Sequence, residues 1–170
     1  MDYFFSQILL DLQERIETEV PEILYIDQDL GQLAQTGEDE RPPIAYPAVL
    51  IDFPNSTFSE LATGNQLGNV PISFHLIFAP YSQTWNKAPL DVRKNGLEYL
   101  DIEQKLHQAL QGWSLDYFVK LSRVSVQSKN NNDIGLRVRN LTYVTEYEDY
   151  STDHDEYKEI EFKFNGKLEP

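Results

Sequence analysis

The sequence predicts an α+β domain: an antiparallel or mixed β-sheet, two α-helices packed on one of its faces, and a long C-terminal β-hairpin. Three observations predict it. Two segments, 3–19 and about 90–112, carry apolar residues at helical spacing. Between them lie runs with strand alternation, of which "VPISFHLIFAPY" is the clearest. The last third holds two further alternating runs joined by the turn-rich "KNNND".

In chain order, Phe5, Ile8, Leu9, Leu12 and Ile16 make the apolar stripe of the first helix, with Gln13, Glu14 and Glu17 on its other side. Pro21 stops it. "ILYIDQDL" (23–30) reads as a first strand or extended segment, and "TGEDERPP" (36–43) as an exposed loop. In "YPAVLIDF", Ala48–Phe53 is a central strand ended by Pro54. Val49, Ile51 and Phe53 point one way and Leu50 the other, so both faces of this strand need cover. The helices supply one cover, and something else must supply the second. Segment 55–69, with Gly64, Asn65, Gly68 and Asn69, reads as a loop enclosing only short pairing. In the next strand, 70–79, Val70, Ile72, Phe74, Leu76 and Phe78 share one face while Ser73, His75, Ile77 and Ala79 share the other. Tyr99, Ile102, Leu106, Ala109, Leu110 and Trp113 give the second helix its stripe, and Gly112 its stop. Strands at about 117–128 and 134–148 finish a single domain spanning 1–150. A polar tail follows at 151–170, in which "EIEFKF" reads as an edge strand or an arm.

The final hairpin changes face. Val119 and Leu121 are in one phase and Val124 and Val126 in the other; on the return strand Leu136 and Val138 are out of phase with Leu141 and Tyr143. One register, with the turn centred on Asn131, sets Val126 against Leu136, Val124 against Val138, Leu121 against Leu141 and Val119 against Tyr143. It places Arg123 opposite Arg139 and Ser125 opposite Arg137. Two accounts are open. A bulge or strong twist turns the hairpin within one domain, or its tip leaves the domain and packs on a neighbouring subunit. In the second account Val124, Val126, Leu136 and Val138 are subunit-interface residues, and Arg123, Arg137 and Arg139 meet acid on the neighbour. A solvated basic face is the plain alternative for the arginines.

Composition narrows the chemistry. The 170 residues carry a net charge of −14, so nucleic acid backbones and anionic membranes repel the chain. With no cysteine there is no disulfide and no thiolate ligand or nucleophile. The N-terminal segment has neither the basic region of a signal peptide nor a spanning apolar run, which points to synthesis in the cytoplasm and residence there or in something assembled there. His75 sits on a strand face, and His107 on a helix beside Gln104, Gln108 and Gln111. His154 lies among Glu148, Asp149, Asp153, Asp155 and Glu156, whose spacing fits no EF-hand loop; a solvated acidic tail is the favoured reading. Phosphate loops, dinucleotide turns, nucleophile elbows and zinc-protease motifs are all missing. No catalytic residue, cofactor or metal site is expected.

The layout resembles the tail terminator and tail-completion (head-tail joining) proteins of long-tailed bacteriophages and prophages. The residues that carry the likeness are the N-terminal helix, the polar loop into "YPAVLIDF", the alternating "VPISFHLIFAPYS", the helix ending "ALQGW" and the finish "LSRVSVQ…LRVRNLTYVTEY". The likeness spans 1–150. It implies a non-enzymatic virion structural protein forming a homo-oligomeric ring, commonly a hexamer, that caps the tail tube or joins tail to head. It further implies tail-tube and neck or connector proteins as partners, DNA only in passage through the lumen, and location in the host cytoplasm and then in the virion. The other reading is a monomeric cytosolic protein-binding module without catalytic activity.

Overall fold

The computed structural model describes residues 3–34, 43–62, 64–79, 83–130 and 135–152. Helix α1 (Phe4–Glu19) is followed by β1 (Tyr25–Gln28), β2 (Ala48–Asp52), β3 (Thr57–Ala62) and β4 (Asn65–Phe78). Helices α2 (Leu90–Asn95) and α3 (Glu98–Leu110) precede β5 (Ser122–Ser128) and β6 (Arg137–Asp149). The sheet order is β1-β2-β4-β6-β5, with β3 pairing β4 beside this path. Among the described residues only the β1–β2 pair is parallel; the other pairs are antiparallel. The architecture is therefore α+β with a mixed sheet and a C-terminal hairpin.

Helices α1 and α3 cover one face of the sheet. Phe4, Ile8, Leu12 and Ile16 of α1 and Leu106, Ala109 and Leu110 of α3 are buried against Val49, Ile51, Ile72, Phe74, Leu76, Leu141 and Tyr143. A buried aliphatic side chain of this kind contributes about 1.5–3 kcal/mol relative to exposure. Polar bonds tie the layers at their edges: Arg15 Nε donates to the Ala109 carbonyl at 3.1 Å, and Gln13 Nε2 to that of Ile26 at 3.3 Å.

The second face of β2 is covered by the chain itself. Ala48, Leu50, Ile77, Leu136 and Val138 form a smaller buried cluster, flanked by Tyr25, Leu33, Ile44, Tyr46 and Ala79. The cover that "AVLIDF" requires thus comes from the connection between β1 and β2 and from the start of β6.

Three expectations need correction. The segment 55–69 is not a loop, because β3 and the first half of β4 form a hairpin there. Gly64, at φ +84°, provides the left-handed residue in its turn. The helix expected over 90–112 is two helices, since Gly96 caps α2 through its N–H to the Val92 carbonyl and α3 starts two residues on. A Cβ on Gly96 would stand 2.7 Å from Thr84 Cγ2, so the close approach of the preceding loop also needs glycine. The segment expected as strand from 117 is strand only from Ser122. The polar tail beyond Thr152, "EIEFKF" included, lies outside the described residues.

Candidate functional site

The hairpin register differs from the one expected. Val126 stands opposite Leu141, Arg123 opposite Tyr143, Ser125 opposite Thr142 and Ser128 opposite Arg139. The register shifts between Arg123 and Ser125, which makes Val124 the extra residue of a bulge. That bulge explains the phase change on β5: Leu121 before it and Val126 after it both pack against the helix-side core. The phase change on β6 is of another kind. Leu141 and Tyr143 belong to the helix side, whereas Leu136 and Val138 belong to the cluster on the second face. The four aliphatics proposed as one interface are thus dispersed. Val126 is in one core, Leu136 and Val138 are in the other, and Val124 alone is largely exposed, at 59%.

The arginines are dispersed too. Arg139 lies against α3, donating from Nε and Nη2 to the Glu103 carboxylate at 2.5 and 3.0 Å and from Nη1 to Ser128 Oγ at 2.8 Å. This pairing raises the Arg139 pKa further above its usual value. Arg137 rests over the Tyr99 ring at 4.2 Å and reaches the Gly96 carbonyl at 3.3 Å. Arg123 remains exposed. Matching apolar residues across the turn could not reveal this, because the signals are a carboxylate and a tyrosine on a distant helix.

His75 and His107 each pair with a neighbouring side chain. His75 Nδ1 lies 2.8 Å from Asp29 Oδ2 on the second face. His107 Nδ1 lies 2.9 Å from the Tyr143 hydroxyl. Burial, and secondarily Arg123, lowers the His107 pKa, while burial pushes Tyr143 up to about 12. Tyr117 donates to Asp11, and its phenol is pushed up by burial and by that bond. Among the described residues no cluster of His, Asp and Glu is arranged to hold a metal ion. His154 and most of its acidic neighbours lie outside them.

Beyond the smaller cluster, the second face of the sheet mixes polar and acidic residues with the Pro71–Val144 pair. Asp52 is opposite Ser73, Glu146 is opposite Asn69, and Thr142 is opposite Ser73 on the other flank. Asn69 Nδ2 contacts Glu146 Oε1 at 3.4 Å. Two of the cavities elsewhere among the described residues carry acidic side chains. One, of about 510 Å³, is lined by Phe78, Tyr99, Ile102 and Tyr46 together with Glu22 and Arg137. The other, of about 490 Å³, lies between the start of α1 and the end of β6. Among the described residues no helix is long and apolar enough to cross a membrane.

No family model matches the chain, and no curated protein matches it. Among solved structures, it is similar to a chain of the virion of the native gene transfer agent (GTA) particle. The two share 10% identity at a TM-score of 0.41, over 84% of this chain and 91% of that one.

Proposed function

We propose that this chain is a non-enzymatic structural protein of a long-tailed phage or prophage virion. It assembles as a ring that terminates the tail tube, joins tail to head, or does both. The observation that supports this reading is the two-sided character of the sheet. One face is sealed by α1 and α3; the other carries Asp52 and Glu146 on the ribbon of β2, β4 and β6. Turned toward a ring axis, an acidic face repels the phosphate backbone, so DNA passes without being held. The partners in this reading are further copies of the chain and the tail-tube and neck proteins. No cofactor takes part.

Leu136 and Val138 are committed to the chain's own core, so of the hairpin residues expected at a subunit interface the exposed Val124 and Arg123 are the ones left to make a ring contact. Contacts in a ring fall on surfaces such as the bulged β5. The test is to mix purified chain with tubes of a long-tailed phage tail-tube protein and to image them by negative-stain electron microscopy. Rings or capped tubes are the expected result. A chain that stays monomeric at high micromolar concentration and does not sediment with tubes overturns the proposal.

A further inference from the structure

We propose that the cavity between the start of α1 and the end of β6 is a docking site for an arginine or lysine side chain of a different protein. This does not depend on the virion reading. The cavity, of about 490 Å³, is lined by Tyr3, Tyr117, Tyr147 and Tyr150 and by the carboxylates Glu148 and Asp149. No lysine or arginine lines it among the described residues. Tyr147 is 7% exposed and stacked on Phe4, so it forms the floor; the other tyrosines supply the aromatic surface that attracts cations through ring quadrupoles, and adjacent carboxylates complete the recognition of an ammonium or guanidinium group.

The walls are held in place before anything binds. The Tyr147 ring stacks on Phe4 at 3.7 Å and 4° between planes, and Tyr117 meets Phe4 edge-on at 6.0 Å. Tyr117 is further fixed by its bond to Asp11, and Tyr150 by its bond to Glu148. Rigid walls spare the partner most of the ordering cost that a flexible surface would impose. Burial first, then Asp149 and Tyr3, push the Tyr147 phenol up to about 12, and the negative charge at the site comes from the Glu148 and Asp149 carboxylates. A divalent cation would want more oxygen ligands than two carboxylates among aromatic rings provide. The choice of a different protein follows from charge, since a second copy also carries −14 and is repelled at long range, whereas a basic partner is drawn in.

The test titrates the full chain with Nα-acetyl-arginine methylamide and follows the tyrosine ring resonances by NMR. The norvaline analogue, with a stem of the same length and no charge, is the control. Saturable shifts at Tyr3, Tyr117 and Tyr147 are expected with the arginine probe and not with norvaline. The pair E148Q/D149N should weaken binding about fivefold, and Tyr150→Leu, at an exposed wall, about threefold. No saturable shift, equal shifts with norvaline, or indifference to E148Q/D149N would each overturn the proposal. Self-association of the chain that disappears in E148Q/D149N would make the occupant a second copy, and would equally overturn the assignment to a different protein.

Discussion

At the scale of single residues, the contact between α3 and β6 depends on two polar pairs of different character. Arg139 and Glu103 are mostly shielded, at 21% and 14% side-chain exposure, and bonded through two nitrogens. Removing one partner leaves a charge in a poor solvent environment. Glu103→Ala should therefore cost about 2 kcal/mol in urea unfolding, while the double replacement Glu103→Leu with Arg139→Met should restore most of that loss. The second pair makes a pH-dependent claim. His107 has a folded pKa below 6.5, because burial and Arg123 disfavour its charged form. The unfolded chain then takes up the proton more readily than the native one, so stability rises with pH across this window. Melting temperature should fall as pH drops below about 6.5, and His107→Gln should flatten that slope. At the alkaline end the signs reverse. Tyr143 and Tyr147 ionise near 12 in the fold against about 10 when unfolded. The unfolded chain releases those protons first, and stability should decline from pH 10 upward, visible as tyrosinate absorbance rising together with loss of ellipticity.

Among the elements, the hairpin is the sharpest case of what a sequence reveals and conceals. Val138 is 4% exposed and faces Leu50 and Ile77 from its place in the smaller cluster, whereas Val124 is the bulge residue. Val138→Asp should unfold the isolated chain, since an aspartate there has no partner and would have to be buried. Val124→Asp should change stability by no more than about 0.5 kcal/mol; parallel urea titrations separate the two. A second element-level expectation concerns Gly68, whose missing Cβ leaves room for the Tyr147 ring at 2.5 Å. Gly68→Ala should cost about 1–3 kcal/mol through that overlap. Helix α1, the second half of strand β4, the apolar face of α3 and the two-sided burial of β6 were legible, because each follows from a local period. The β5–β6 register was not. A bulge adds one residue without any compositional mark, so Leu121 and Val126, which share a face, read as if they did not. The β3–β4 hairpin was hidden for a related reason: its glycines and asparagines carry turn chemistry while most of them sit within strands. The tyrosine-lined cavity joins Tyr3 to Tyr147, which only the folded sheet brings together.

On the scale of the whole molecule, charge governs association. A chain at −14 meets copies of itself against a long-range repulsion that salt removes. Formation of the proposed ring should therefore strengthen as ionic strength rises from low to physiological, and sedimentation velocity across a salt series checks this; cation binding at the proposed docking site should show the opposite trend. The long β4–β6 ribbon adds a consequence in time. Its partners run from Phe78 with Arg137 to Gln66 with Asp149, residues about 60 to 80 apart along the chain, and α2, α3 and β5 lie in between. The sheet's middle cannot close until that whole excursion has been drawn together, and non-local closure of this kind slows folding. During synthesis β4 leaves the ribosome long before β6, so one of its edges waits with its hydrogen-bonding groups unmatched. A truncated chain ending before Arg137 should for that reason aggregate through the open edge of β4, even though every helix is already present.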